Sequence, residues 1–243
     1  MLFPMRNIYH KVYLHPLLYF FMLLATLTAH FQDFCTFMLI IFIHECGHLL
    51  FAFFFQWKIE RVLFLPFGGM IQFKEKLNKP IYQEFFILIG GPLFQIIFYQ
   101  IYPTIYHYPL LIFNLLPIYP LDGSKFLFLF CNLFLNYYKC YWILFISSYI
   151  TVIFLLLSYP SLYVVIFGCY LLFQNINMIK DLSNIFLKFL FERYEQEYFY
   201  YRKRLIKGNN VKKMMRDVNS IFFYNDIFYA EKEVLKKYFL NKK

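Results

Sequence analysis

One apolar stretch decides the fold of this chain. Residues 34–57 read FCTFMLIIFIHECGHLLFAFFFQW, and Glu45 is the only formally charged residue among them. The stretch is long enough to cross a bilayer as a helix. On that helix His44 and His48 lie one turn apart on the same face, so two imidazole nitrogens can reach one Zn²⁺, with Glu45 beside them as a general base. Because an ionisable group inside a bilayer is costly, Glu45 indicates a functional site.

The composition predicts a membrane protein. Hydrophobic residues make up 61% of the 243 residues and aromatic residues 25%, and the mean hydropathy is +0.52, more than a soluble domain usually carries. We therefore expect an all-α polytopic membrane protein with about six transmembrane helices. The expected spans lie near residues 15–30, 34–56, 84–102, 108–130, 140–158 and 161–179, and Gly and Pro break the third and fourth. Residues 1–179 would form the membrane domain and residues 180–243 a cytoplasmic tail.

The basic residues predict the orientation of these spans, because Lys and Arg are retained on the cytoplasmic side. They precede the first span, follow the second and lie between the fourth and fifth: Arg6, Lys11, Lys58, Arg61, Lys74, Lys76, Lys79, Lys125 and Lys139. The connections at residues 29–33, 103–108 and 158–161 contain no Lys or Arg. Both termini are therefore expected in the cytoplasm.

Most of the net charge of +10 lies in the tail. Residues 180–243 carry fifteen Lys or Arg and eight Asp or Glu. A basic segment directly after a membrane span is more often an orientation signal or a contact with anionic lipids of the bilayer than a nucleic-acid site. No direct binding of nucleic acid is expected.

A hydrolytic zinc site takes three protein ligands, so one ligand must come from outside the HExxH motif. Asp122 is the candidate, because it is the only acid between Glu84 and Asp181. It ends the string NLLPIYPLDG at residues 114–123, in which Pro117 and Pro120 disfavour regular helix. An ordinary aspartate turn is the alternative explanation of the Leu-Asp-Gly sequence.

HExxH together with Asn114, Pro117, Pro120 and the Asp122-Gly123 pair resembles the site-2 protease family of intramembrane metalloproteases. The likeness is greatest to the sporulation branch of that family, whose members cleave a pro-sigma factor. It extends to PFGGM at residues 66–70, to GGP at residues 90–92 and to RYE at residues 193–195.

The resemblance implies an enzyme in which His44, His48 and Asp122 hold one Zn²⁺ and Glu45 activates water. It also implies a membrane-associated pro-sigma factor as substrate and membrane inhibitor or regulator proteins as partners. The location it implies is the mother-cell membrane that surrounds the forespore. A homo-oligomer is a further expectation.

Five other residues are expected near the site. Residues 58–74 predict a short β-hairpin at the membrane face, and Gly68 and Gly69 mark either its substrate-binding edge or an ordinary turn. Gln95 can hydrogen-bond an oxyanion or substrate backbone, or it can link two helices. Asn114 and Pro120 match the family string in register, and we expect them to contact substrate or to support Asp122.

The tail is expected to be a small α+β module that resembles a truncated CBS domain. We expect a helix over 181–204, a basic linker at 207–210, a helix over 211–218, strands at 221–224 and 227–229 around an Asn225-Asp226 turn, and a last helix over 231–239. The module is shorter than the ATP-sensing domain of the family. This places ATP binding in doubt and leaves substrate contact or oligomerisation as its roles.

Two other classes of protein fit parts of the pattern. A transporter or channel could use intramembrane His, Glu and Asp for the passage of metal ions or protons, but transporters commonly carry an internal repeat and the sequence shows none. A membrane scaffold would need no HExxH motif. Zinc content and cleavage by a Glu45→Gln variant separate these classes from a protease.

Overall fold

The computed structural model describes residues 12–65, 68–73, 77–195 and 200–240, without the side chains of Val12, Leu65, Met70 and Tyr163. Arg6, Lys11, Pro66, Phe67, Lys74 and Lys76 lie outside the described residues. The helices are α1 (Pro16–Leu27), α2 (Phe31–Phe54), α3 (Ile81–Ile101), α4 (His107–Asn114), α5 (Asp122–Phe134), α6 (Tyr137–Ser158), α7 (Leu162–Glu195) and α8 (Glu231–Leu240). The strands are β1 (Val12–Leu14), β2 (Ile59–Leu65), β3 (Gly68–Phe73), β4 (Arg202–Lys207), β5 (Val218–Tyr224) and β6 (Ile227–Ala230).

The chain forms two compact units. The first contains Met1–Glu75 and Gln83–Ile112, and the second contains Lys76–Tyr82 and Phe113–Lys243. The division expected at residue 179 stays a prediction, because compactness alone does not separate a membrane part from a cytoplasmic part.

Among the residues that the structure describes, three helices are long and apolar enough to cross a membrane: α2, α3 and α6. They correspond to the second, third and fifth expected spans. The third span is not broken as expected, since α3 continues through Gly90, Gly91 and Pro92. Membrane helices tolerate proline where neighbouring groups satisfy the freed backbone carbonyl.

The other three expected spans stay predictions. Helix α1 has 12 residues, fewer than the roughly 20 that cross a bilayer as a helix. The fourth span is divided between α4 and α5 by residues 115–121. These include Pro117 and Pro120, the two prolines that were expected to disfavour regular helix. Helix α7 continues past the expected end of the sixth span and has 34 residues, a length of about 50 Å.

The hairpin of the first unit is present. Strands β2 and β3 are antiparallel, with Leu63 opposite Met70 and Phe64 opposite Gly69. Strand β1 adds to the other edge of β2 in parallel orientation, so the sheet order is β1-β2-β3. The expected all-α membrane part thus includes a three-stranded sheet, because residues 12–14 supply a strand that the hairpin pattern did not predict.

The tail of the second unit contains the sheet β4-β5-β6, in which β4 and β5 are parallel and β5 and β6 antiparallel. The expected turn is confirmed, since Asn225 and Asp226 both have positive φ between β5 and β6. The expected helix over 181–204 and linker over 207–210 are wrong in part: α7 ends at Glu195, and residues 202–207 form β4. Pairing with β5 satisfies the backbone of this basic segment.

The helix expected over 211–218 is also wrong. Only a 3₁₀ turn forms at Val211–Lys213, where the Asn210 side chain accepts a hydrogen bond from the Lys212 N–H. The core of the tail also contains Tyr137 from α6 and residues 186, 189 and 190 from α7. Its buried residues are Tyr137, Phe186, Phe189, Leu190, Ile206, Val211, Met214, Phe222, Val234 and Leu235. Strand order alone does not establish the likeness to a CBS domain, which stays a prediction.

Candidate metal centre

Helix α2 presents the HExxH motif on its buried face. His44, Glu45 and His48 are 1%, 6% and 4% exposed. The other buried residues of α2 repeat at the spacing of one helix face: Ile40, Ile41, Gly47 and Ala52. The motif therefore points into the protein.

The two imidazoles are held by hydrogen bonds at Nδ1. His44 Nδ1 lies 2.8 Å from Gln95 Oε1, and His48 Nδ1 lies 2.7 Å from the Ile87 carbonyl oxygen. The Gln95 amide nitrogen donates to the His107 carbonyl at 2.9 Å, which turns Gln95 Oε1 toward His44. Both partners of the imidazoles are acceptors, so each Nδ1 carries the proton and each Nε2 keeps its lone pair.

These lone pairs converge. The two Nε2 atoms of His44 and His48 are 3.1 Å apart. Two imidazoles on one tetrahedral Zn²⁺, with Zn–N bonds of about 2.0–2.1 Å, place their nitrogens about 3.3 Å apart. The geometry and the tautomers thus fit a metal ion, because two unprotonated nitrogens face each other at the distance that shared coordination requires.

Glu45 completes a cluster with the histidines, since one ligand atom from each of the three residues lies within 4.8 Å of the others. The hairpin packs against this side chain: a Cβ added to Gly69 would lie within 3.0 Å of the Glu45 Cγ, Cδ and Oε1 atoms. A Cβ at Gly68 would meet nothing within 4 Å. Gly69 is therefore the hairpin glycine that touches the motif.

Glycines of α3 make room for the histidines. A Cβ at Gly91 would lie within 3.0 Å of the Nε2 atoms of both His44 and His48. One residue earlier, Gly90 packs backbone to backbone against Gly47 of α2, where a Cβ on either glycine would meet a carbonyl oxygen of the other within 3.0 Å. The pair Gly90-Gly91 thus lets α3 approach α2 and leaves space at the Nε2 atoms.

The segment that carries Asp122 is ordered by α6. Ser148 Oγ accepts from the Tyr119 N–H at 2.8 Å and donates to the Pro117 carbonyl at 3.3 Å. Gly123 packs on the backbone of Leu115 so closely that a Cβ would not fit. These contacts satisfy backbone groups that the prolines leave outside regular helix.

Asp122 is the first residue of α5 and is 8% exposed. Its Oδ1 accepts a hydrogen bond from Lys125 Nζ at 2.8 Å. Asn114, at the end of α4, is also buried, and Pro120 follows a cis peptide bond. All three residues belong to the second unit, and their expected roles stay predictions.

The structure thus brings together His44, Glu45, His48, Gln95 and Gly69. Sequence reasoning missed two groups that touch the histidines: the Ile87 carbonyl, which has no side-chain signature, and Gly91, which was noted only as part of a glycine motif. A signal for Gly91 was present, because Gly91 and Gln95 lie four residues apart and so share one face of α3.

Comparisons with known proteins agree with this geometry. The profile of peptidase family M50 matches residues 34–109. Stage IV sporulation protein FB of Bacillus subtilis (strain 168) is 33% identical over 216 residues, which cover 81% of this chain and 70% of that protein. This chain belongs to peptidase family M50. It is a membrane protein and an intramembrane metalloprotease of the site-2 protease family.

The solved structure of a site-2 protease from Methanocaldococcus jannaschii supports the fold of this M50 peptidase. The two match with a TM-score of 0.55 and 22% identity over 73% of this chain and 93% of that chain. The converging histidines on α2 are the part of the M50 peptidase that can hold its metal. Membership of this family explains the histidines without a transporter or a scaffold.

Proposed function

We propose that this M50 peptidase is a zinc endopeptidase that cleaves a membrane-associated pro-sigma factor. The observation that carries the metal assignment is the facing pair of Nε2 atoms, 3.1 Å apart, with both Nδ1 atoms engaged by acceptors. Imidazole nitrogens and a carboxylate suit Zn²⁺ in a catalytic site that keeps one position open.

Asp122 is the proposed third ligand. It is a buried acid at the start of a helix, and the packing of Gly123 and the hydroxyl of Ser148 fix the loop that precedes it. Lys125 holds one carboxylate oxygen, as a second partner commonly does for a ligating carboxylate. Asn114 and Pro120, in the same segment, are proposed to support Asp122 or to contact substrate.

The proposed chemistry is peptide hydrolysis. When bound, the metal supplies a Lewis acid that polarises the peptide carbonyl and makes water easier to deprotonate. Glu45 takes the proton from the attacking water and returns it to the leaving amine. Gln95 and the Ile87 carbonyl keep both histidines in the tautomer whose Nε2 carries no proton.

Strand β3 is the proposed binding site for the substrate backbone. Within the described residues β3 pairs only with β2, so no described strand occupies its second edge. A substrate segment that adds to this edge becomes extended and exposes its peptide bonds. Such a segment would lie beside the strand that touches Glu45 through Gly69.

The similarity to stage IV sporulation protein FB supports the choice of substrate. We propose by the same similarity that membrane inhibitor or regulator proteins restrain the enzyme, and that it lies in the mother-cell membrane with both termini in the cytoplasm. The tail is proposed to contact substrate or to join copies of the chain.

The test uses purified full-length protein in detergent and a membrane-tethered pro-sigma factor. Glu45→Gln should retain zinc and lose cleavage by at least about 10²-fold, because general base catalysis is removed while the ligands remain. Asp122→Asn should lose both zinc and cleavage, whereas Asp226→Asn, the same change at an exposed turn, should lose neither. Full zinc content and cleavage in Asp122→Asn would exclude Asp122 as a ligand. Cleavage by Glu45→Gln at the wild-type rate would exclude the mechanism.

A further inference from the structure

Residues 78 and 79, shortly before α3, are bound by the tail of the second unit. Asn78 is 1% exposed, and its amide nitrogen donates to the Phe189 carbonyl and to Glu192 Oε2, each at 3.1 Å. The Lys79 carbonyl accepts from Arg216 Nη2 at 2.8 Å. These contacts fix the two residues that precede Pro80 at the start of α3.

Asp217 makes the contact at the helix start itself. Its Oδ2 accepts a hydrogen bond of 2.9 Å from the Ile81 N–H, and Ile81 is the first residue of α3. The first N–H groups of a helix have no partner within the helix. Pro80, the residue before it, has no polar side chain with which to satisfy them. Asp217 therefore supplies from the tail what an N-cap side chain usually supplies locally.

The backbone around Asp217 is itself held rigidly. Arg193 donates to the Met215 carbonyl at 2.7 Å and to the Val218 carbonyl at 2.5 Å, on either side of Asp217. The guanidinium also makes a two-point ion pair with Glu231, at 2.6 and 3.0 Å. Asp217 has φ of +53°, a backbone conformation that Asp and Asn tolerate better than most residues. The backbone of the tail thus fixes the position of the Asp217 carboxylate.

We propose that Asp217 is a positioning residue for the reaction. Helix α3, whose start it caps, carries the Ile87 carbonyl, Gly91 and Gln95, the three groups that orient or make room for the histidines. By fixing Ile81, Asp217 holds this helix in the register that keeps both Nε2 atoms directed at the metal. This inference rests on the proposed function, since it assigns the tail a part in the activity of that site.

The test compares Asp217→Gly with Asp217→Asn in the full-length protein in detergent. Glycine accepts the positive φ but removes the cap, whereas asparagine accepts the same φ and keeps an acceptor oxygen. Asp226→Gly is the matched control, because it removes the same side chain from a residue of similar φ in the exposed β5–β6 turn. Three quantities are measured: amide hydrogen exchange over residues 81–84, kcat and KM on the membrane-tethered pro-sigma factor, and release of zinc to a chelator.

In Asp217→Gly we expect exchange over residues 81–84 about fivefold faster, as loss of a typical cap predicts. We also expect lower kcat at unchanged KM and faster release of zinc. Asp217→Asn should keep the exchange rate, kcat and the rate of zinc release at their wild-type values. Exchange equal to that of Asp226→Gly would overturn the proposal, and so would faster exchange with unchanged kcat.

If wild-type protein and Glu45→Gln both fail to cleave, the proposed function is wrong. The zinc release of Asp217→Gly, compared with Asp226→Gly, then decides the positioning role.

Discussion

At the scale of single residues, Gln95 has the clearest structural role beyond the motif. It is 1% exposed and joins the His44 imidazole to the His107 carbonyl through its two amide ends. Of the two roles considered for it, the structure shows the link between helices. This link also sets the His44 tautomer, so it bears on the metal as well as on packing.

Gln95→Leu should weaken zinc binding about 10- to 100-fold, as loss of a partner behind a metal-binding histidine commonly does. It should also destabilise the protein by about 1–3 kcal/mol, because the buried His44 Nδ1–H loses its acceptor. Chelator competition and thermal unfolding in detergent measure the two effects. Gln100→Leu is the control, since Gln100 is an exposed glutamine on the same helix. Equal zinc affinity in the two variants would contradict the role of Gln95.

At the scale of elements, α3 and the hairpin each bring one glycine to the motif, but to different side chains. Gly91 of α3 adjoins the Nε2 atoms of the histidines, and Gly69 of β3 adjoins the carboxylate of Glu45. A methyl group at either position must displace its neighbour. Substitutions of the two glycines therefore separate metal binding from catalysis.

Gly91→Ala should lose both zinc and cleavage, because its Cβ would occupy the space between the two histidines. Gly69→Ala should reduce cleavage while zinc content remains, because the three atoms nearest the added Cβ all belong to Glu45. Zinc analysis of the purified variants and cleavage of the pro-sigma factor distinguish these outcomes. Gly168→Ala is the control, since the atoms nearest its Cβ would belong to the flexible Leu156 side chain. Retention of full zinc by Gly91→Ala would show that the histidines can move away from α3 without loss of the site.

At the scale of the whole molecule, orientation in the membrane decides which compartment supplies the substrate. The basic residues that flank the apolar spans predict cytoplasmic termini, and this rests on the positive-inside rule alone. The proposed pro-sigma substrate is reached only if residues 58–79 and the start of α5 face the cytoplasm.

Single cysteines placed in a cysteine-free background test the orientation in intact cells. Lys139→Cys, at the exposed start of α6, should react with an impermeant thiol reagent only after permeabilisation. Ser161→Cys, in the exposed connection before α7, should react without it. Each position is the control for the other, because in an inverted topology position 139 would be labelled without permeabilisation and position 161 only after it. That result would exclude a cytoplasmic substrate.

The sequence by itself determined the membrane class and the centre of the site. Both follow from local physics: long apolar runs need a bilayer or a core, and residues four apart on a helix share a face whatever surrounds them. The hairpin over residues 58–74 and the Asn225-Asp226 turn were predictable for the same reason, since alternation and turn residues act within a few positions along the chain. Gly68 and Gly69 themselves lie in β3, opposite Leu65 and Phe64, and so are not the turn that was one interpretation of them.

Only the tertiary structure decided which groups hold the histidines, and how the basic segment at 202–207 folds. The Ile87 carbonyl is a backbone group with no signature of its own, and the strand conformation of β4 depends on a ladder with residues 218–223. The cap on α3 likewise joins residues 136 positions apart. Such contacts depend on which distant segments pack together, and no local pattern of residue types encodes that.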